Sequence, residues 1–216
     1  MSSIPRRSTR MDSSPTREDV TEILPNLFLG SEAGAQNLKM LRSRGITHIL
    51  SVMAVPCESD GTEGDFHRMQ IAVQDWPDQD LLTHFKAANA FINGARAVAE
   101  EGVLVHCYQG VSRSATIVAA YLMAFHPPVH SSDTAAVTFI RTLRPTVQPN
   151  SGFLSQLALY GRCECDLDAH PMAVEAWRAG RVRTWEGRVD RKKREEAEEA
   201  FRKQWRKKGW EMCTLM

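Results

Sequence analysis

No apolar run in this chain approaches the ~18 residues that a membrane-crossing helix needs, so no membrane span is expected. Nor does one sign of charge dominate. The 27 Lys and Arg are nearly matched by 26 Asp and Glu, for a formal net charge of +1. That balance excludes a field broad enough to bind nucleic acid or an anionic membrane over the whole molecule. Cysteine is scarce and irregularly placed. Five among 216 residues, an odd number, do not read as a disulfide framework, and a reducing compartment, cytoplasm or nucleus, fits better. The opening stretch MSSIPRRSTRMDSSPTRED has arginines but no apolar segment, so it is not a secretory signal. Pro5, Pro15 and the lack of amphipathic spacing argue against a mitochondrial presequence. No internal repeat is present.

What remains is an ordinary globular chain, 43% hydrophobic, with enough apolar material for one sizeable core plus extensions. Residues 1–19 have little to bury and are expected to form a disordered arm. From Val20 onward, short extended segments are punctuated by Pro25 and Gly30. Ala33 to Arg44 has helical spacing and Gly45 as a stop. Thr47 to Val55 and His67 to Val73 read as strands, with a turn over Glu58 to Asp65 between them. A long helix is expected from an Asp80 cap to about Glu101, with Leu81, Leu82, Phe85, Ala88, Phe91, Ile92, Ala95 and Val98 as its core stripe. Val103 to His106 is a short buried strand, and Ser114 to Phe125 an apolar helix stopped by Pro127 and Pro128. Two more helices follow, one capped at Ser132 or Asp133, the other at Asn150 or Ser151. Strands interleaved with helices indicate an α/β fold, a central and mostly parallel sheet flanked by helices. Residues 20–165 form the expected domain, and 166–216 a charged, partly helical tail. Within the tail, Glu198 with Arg202 and Glu199 with Lys203 are acid-before-base pairs at helical spacing.

The chemistry concentrates in VLVHCYQGVSRSAT, Val103 to Thr116. A strand that ends in a loop and re-enters as a helix leaves several backbone N–H groups pointing into the turn. The helix dipole adds positive charge there, and the result is an anion site. Gly110 lets the backbone close tightly, and Arg113 adds a planar fork that can hold two phosphate oxygens. Cys107 lies at the bottom of this cradle, in a field that lowers a thiol pKa and arms the thiolate.

HCYQGVSRS, with its His-Cys, five residues, Arg, Ser form, resembles the dual-specificity phosphatase branch of the Cys-based protein tyrosine phosphatase superfamily. ILPNLFLGSEAGAQNLKMLRSRGITHILSV resembles that family's N-terminal strand, helix and strand, and RPTVQPNSGFLSQLALY its C-terminal helix. The LALYGRC segment is similar to that of fungal relatives that carry a separate cysteine-rich zinc domain downstream, a domain this chain is expected to lack. The resemblance implies a tyrosine-phosphatase-like fold and a metal-independent phosphomonoesterase with no cofactor. Its substrates would be proteins phosphorylated on tyrosine and on serine or threonine. Cys107 would be the nucleophile. Arg113 and the loop of Tyr108, Gln109, Gly110, Val111 and Ser112 would bind the phosphoryl oxygens, and Ser114 would ease departure of the sulfur. His106 would tune the thiol from behind, not act as a base.

For the general acid, IAVQDWPDQDLL offers Asp75, Asp78 and Asp80. Asp75 falls at the family's position, Asp78 is the rival, and Asp80 reads as a helix cap. Trp76 and Pro77 depart from the commonest family spelling and would stiffen the loop or shape the rim. Cys163, Cys165, His170 and Cys213 invite a zinc reading, but the spacing is tighter than a zinc knuckle, and no metal is expected. Cys57 is a candidate disulfide partner for oxidised Cys107. Of the tail tryptophans, Trp177 and Trp185 are expected to pack on the domain, while Trp205 and Trp210 could anchor a partner. Nucleic acid is not expected at the domain; Arg191–Arg194 in the tail could touch RNA or serve nuclear import, or form a solvated helical face. A monomer is expected. The competing functional readings are the same chemistry on an RNA 5′ end or phosphoinositide, and a scaffold or ribosome-assembly role.

Overall fold

A computed structural model describes residues 19–55, 66–98, 101–186, 199–200 and 203, with no side-chain description for 181–186. The expected turn over Glu58 to Asp65, Cys57, Cys213, Arg191–Arg194, Trp205, Trp210 and the Glu198–Arg202 pair lie outside these residues, as does the Trp185 side chain.

β1 (Val20–Leu24) and β2 (Leu27–Gly30) form an antiparallel hairpin. Its turn places Asn26 at φ 64°, a left-handed conformation that Asn tolerates. β3 (Ile46–Val52), β4 (His67–Ile71) and β5 (Gly102–His106) complete one sheet of order β1-β2-β5-β3-β4. β2 with β5, β3 with β5 and β3 with β4 are parallel. β5 is central and wholly buried, which is why it reads GVLVH with no polar alternation. Its side chains still alternate. Val103 and Val105 enter the larger core, while Leu104 enters a smaller one with Phe28, Leu41, Ile46 and Ile49.

The smaller core is covered by α1 (Glu32–Gln36) and α2 (Leu38–Ser43). These occupy the stretch where one continuous helix was expected. Asn37 breaks it: at φ −83° and ψ 76° it leaves helical geometry, and its side chain accepts from Met40 N to cap α2. Gly45, at φ 67°, then ends the segment as anticipated.

On the other face lie α3 (Phe85–Arg96), α4 (Arg113–Phe125), α5 (Asp133–Leu143) and α6 (Ser151–Arg162). α4 is enclosed by its neighbours, with every residue from Arg113 to Met123 buried, so its apolar character runs all round. The long helix expected from Asp80 is shorter than its pattern. Asp80 does cap Thr83 N, but Leu82–His84 is a 3-10 turn and α3 begins only at Phe85. The buried Gln156 Oε1 captures the amides of Leu81 and Leu82 at 2.8 Å each, tying down the chain just ahead of that turn. At the other end Val98, assigned to the core stripe, is 48% exposed.

The caps at Ser132 and Asn150 form as read, each side chain accepting from a first-turn amide. α7 (Pro171–Glu186) follows, with Val174 buried and Trp177 packed against the main core. Farther along, Lys203 Nζ meets Glu199 Oε1 at 2.7 Å, the pair expected from its spacing. Among the described residues no helix is long and apolar enough to cross a membrane.

Candidate active site

β5 ends at His106 and α4 begins at Arg113, so Cys107 to Ser112 form the loop at the carboxyl edge of the central strand. Gly110 makes its sharp bend at φ 69°. A Cβ there would stand 2.5 Å from Gly30 O and 2.9 Å from Arg144 Nη2, so neither the dihedral nor the space admits a side chain.

Arg144, which the sequence reading did not single out, braces this loop from outside. Its Nε donates to Gly110 O and its Nη2 to Gln109 O, both at 3.0 Å, while Nη1 reaches Thr21 Oγ1 at 3.2 Å. The Gln148 amide holds Val111 O at 2.9 Å. With these carbonyls drawn outward, the loop's N–H groups are free to turn inward.

Cys107 is 2% exposed, and Ser114 Oγ donates to its Sγ at 3.2 Å. Burial pushes the thiol pKa up. The Arg113 charge, the Ser114 hydroxyl and the backbone N–H groups of Ser114 and Gly110 outweigh it and leave the thiol below its ordinary value. Arg113 is itself buried. Its Nη1 donates to Val73 O at 3.3 Å, and its Nε has no hydrogen-bond partner. A buried guanidinium donor left without a hydrogen bond is a site prepared for an anion.

His106 turns to the opposite face of the sheet, where Nε2 and Ser51 Oγ are 2.7 Å apart. Nδ1 is buried and falls short of a full hydrogen bond to the Cys107 backbone. Burial pushes the imidazole pKa down to about 4, the nearby Arg68 and Arg113 charges adding to the effect. A ring that stays neutral at pH 7 and faces away from the sulfur's cavity serves as packing behind the thiol.

Of the three acids, Asp75 alone reaches the loop. Its Oδ1 accepts from Ser112 Oγ at 2.6 Å and Asn150 Nδ2 at 2.8 Å, and its Oδ2 lies 3.9 Å from Arg113 Nε. Asp75 lines the same cavity, about 420 Å³, as Cys107, Tyr108, Gln109, Val111, Ser112 and Arg113, together with Gln148 and Asn150. Asp78 is half-buried and outside that lining, and Asp80 is the cap of Thr83. Ser112, read as a phosphate-loop residue, also anchors the acid. Asn150, read only as a helix cap, both caps α6 and holds Asp75.

The segment carrying Asp75 is fixed from α6. Gly152 lies so close beneath Pro77 that a Cβ would stand 1.7 Å from Pro77 O. Gln156 Nε2 donates to Gln79 O at 2.8 Å, adding to the two amides its oxygen holds. Trp76 and Pro77 do not line the cavity, so Pro77 acts against α6 and not on the rim. None of these fixing residues carries an ionisable group, which is why a search for chemistry in the sequence passed over them. Cys163 is buried and Cys165 half-buried beside Ser131, Sγ to Oγ 3.8 Å, away from this cavity.

A strand-loop-helix cradle with a depressed thiol, a buried guanidinium donor without a hydrogen bond and a tethered carboxylate can transfer a phosphoryl group to sulfur and on to water. The comparisons agree with that chemistry. Residues 27–163 match the family model described as "Dual specificity phosphatase, catalytic domain". "Dual specificity protein phosphatase MPK-4" of Drosophila melanogaster is 40% identical over 162 residues, which cover 71% of this chain and 41% of that protein. "Dual specificity protein phosphatase 1B" of Arabidopsis thaliana is 41% identical over 143 residues, covering 65% of this chain and 80% of that one. Among solved structures, that of DUSP15 superposes with a TM-score of 0.62 at 32% identity, covering 71% of this chain and 97% of its own. Coverage of the curated relatives is uneven: the chain spans 41% of the Drosophila protein and 63% of a Dictyostelium discoideum relative.

Proposed function

The chain belongs to the dual-specificity phosphatase family, and from that premise we propose that it hydrolyses phosphotyrosine and phosphoserine or phosphothreonine in proteins through a phosphocysteine intermediate. The observation that carries the reading is the buried Arg113 Nε, without a hydrogen-bond partner, beside a thiol held below its ordinary pKa. In the first step the Cys107 thiolate attacks phosphorus, and the sulfur–phosphorus bond forms as the bond to the leaving oxygen breaks. Arg113 and the loop amides stabilise the equatorial oxygens, and Asp75 gives its proton to the leaving oxygen. In the second, Asp75 takes a proton from water as that water attacks phosphorus, and the sulfur departs as a thiolate toward which Ser114 Oγ already donates. Sulfur, guanidinium and carboxylate supply nucleophile, charge stabilisation and proton, and no step calls for a metal or cofactor.

Phosphoproteins are favoured over inositol phosphates because the side chains between Cys107 and Arg113 include no cation to meet several phosphates. We take residues 20–165 as the catalytic domain, acting as a monomer in a reducing cytoplasm or nucleus. The test is steady-state kinetics in chelator-treated buffer on phenyl phosphate, whose weakly acidic phenol needs the proton as it leaves. Cys107→Ser is expected to lose at least about 10⁴-fold in kcat, and Asp75→Asn about 10²-fold. An Asp78→Asn variant that loses as much, while Asp75→Asn retains full turnover, would reverse the acid assignment. Full turnover in Cys107→Ser would end the phosphocysteine mechanism, and a Cys107→Ser variant without turnover that still rescued a deletion strain would favour the scaffold role.

A further inference from the structure

Beside the catalytic cavity runs a second, larger groove of about 1580 Å³. The two share Tyr108, Gln109 and Val111, so a chain whose phosphate occupies the cavity continues over that rim into the groove. The groove's charges are unequal in what they offer. Its bases, Arg44 and Arg144, are engaged with the chain itself: Arg144 through all three of its donor groups, Arg44 through Nη1 to Val20 O at 3.0 Å. Its acids include Glu22, which is exposed and accepts from Asn26 N at 3.2 Å through Oε1, and Glu32. Glu32 is half-buried, and among the described residues no side chain forms a hydrogen bond or ion pair with its carboxylate. Burial accordingly raises its pKa, which the more distant Arg113 charge lowers only in part. The Glu32 amide donates to Tyr108 O at 3.2 Å, which sets the first turn of α1 against the loop. Tyr108, 45% exposed, offers an aromatic surface at the shared rim.

An exposed aromatic beside a partly desolvated carboxylate that has no side-chain partner among the described residues suits a cation. We propose that this groove is a subsite for a Lys or Arg side chain flanking the phosphorylated residue of the substrate, with the cation over Tyr108 and opposite Glu32 and Glu22. The subsite rests on the phosphatase reading above and adds to it the chemistry of the substrate's flank. A flanking Glu or Asp meets two carboxylates instead and is disfavoured, as is a strongly anionic lipid headgroup.

The experiment compares kcat/KM for three otherwise identical phosphopeptides whose flanking positions carry Arg, Ala or Glu, using the full chain at low ionic strength. The ratio of Arg- to Ala-flanked peptide is expected to be about five to ten and to shrink as salt is added. In Glu32→Gln and in Glu22→Gln it is expected to fall toward one, and because a ratio is read, any change in basal turnover cancels. Glu22 is exposed, so its variant serves should Glu32→Gln fail to fold. A wild-type ratio of one, or a ratio unchanged in both variants, overturns the subsite while leaving the phosphatase reading intact. Loss of all hydrolysis, the Ala peptide included, overturns that reading and the subsite together. Deletion of residues 1–17 that raises turnover of all three peptides alike would assign the groove to the chain's own arginine-bearing arm, and would overturn the proposal as well.

Discussion

Two opposing effects meet on the sulfur of Cys107: burial disfavours its charge, while Arg113, Ser114 and the loop amides favour it more strongly. One residue back, at His106, burial is the largest effect and wins: the Cys107 backbone opposes it only weakly, and the Arg68 and Arg113 charges act with it. The contrast gives a signed prediction. In the unfolded chain an imidazole titrates near ~6.5, and in the fold His106 titrates at about 4. Between those values the unfolded state binds the extra proton. The contribution to stability is therefore full above about pH 6.5 and is lost as pH falls toward the folded value. At its largest the effect is about 3 kcal/mol. Urea denaturation between pH 4.5 and 7 is expected to show wild-type stability falling on acidification more steeply than that of His106→Gln; parallel slopes would refute it. Cys107, Gly110 and Arg113 were legible because loop geometry, dipole and nucleophile lie on one short continuous segment. Arg144 was not, because nothing local distinguishes an arginine at the end of α5 that braces a distant loop from one that meets solvent.

The elements relate through the first turns of α6. Asn150, Gly152 and Gln156 lie on one helix and between them touch Asp75, Pro77, Gln79, Leu81 and Leu82. The acid-bearing segment is therefore held by a neighbouring helix and not by its own sequence. Gly152→Ala forces that segment away, since a methyl group cannot fit 1.7 Å from Pro77 O. It is expected to reduce kcat by about 10²-fold on an alkyl phosphate, whose leaving oxygen needs the proton, and much less on an aryl phosphate with an acidic phenol. Equal losses on both substrates would show damage to the cradle instead of displacement of the acid. The same contacts explain why the helix expected from Asp80 starts late: the amides of Leu81 and Leu82 bond to Gln156, a partner that periodicity cannot see.

For the molecule as a whole, the family match stops at residue 163 while the packed structure continues. Val174 and Trp177 of α7 join the main core, Arg178 Nε lies 3.9 Å from Asp80 Oδ2, and Asp168, between α6 and α7, pairs with Lys86. The exposed ion pairs add little; the apolar contacts are what attach the helix. Trp177→Ala is expected to cost about 1–2 kcal/mol, read as a lower urea midpoint with an unchanged slope. No shift in midpoint would mean that α7 lies on the domain without stabilising it.

What the sequence determined by itself was what short-range physics controls: the alternation of strands and helices, the caps at Ser132 and Asn150, and a cysteine followed by an arginine across a strand-to-helix loop. Those features depend on neighbours a few residues apart, and the order of the chain displays them directly. Only the tertiary structure showed which aspartate lines the cavity of the sulfur. Asp75 and Ser112 are 37 residues apart and meet at 2.6 Å because β4, β5 and the start of α6 converge on one edge of the sheet. Pairings of that range follow from how whole elements pack, and no local pattern in the chain records them.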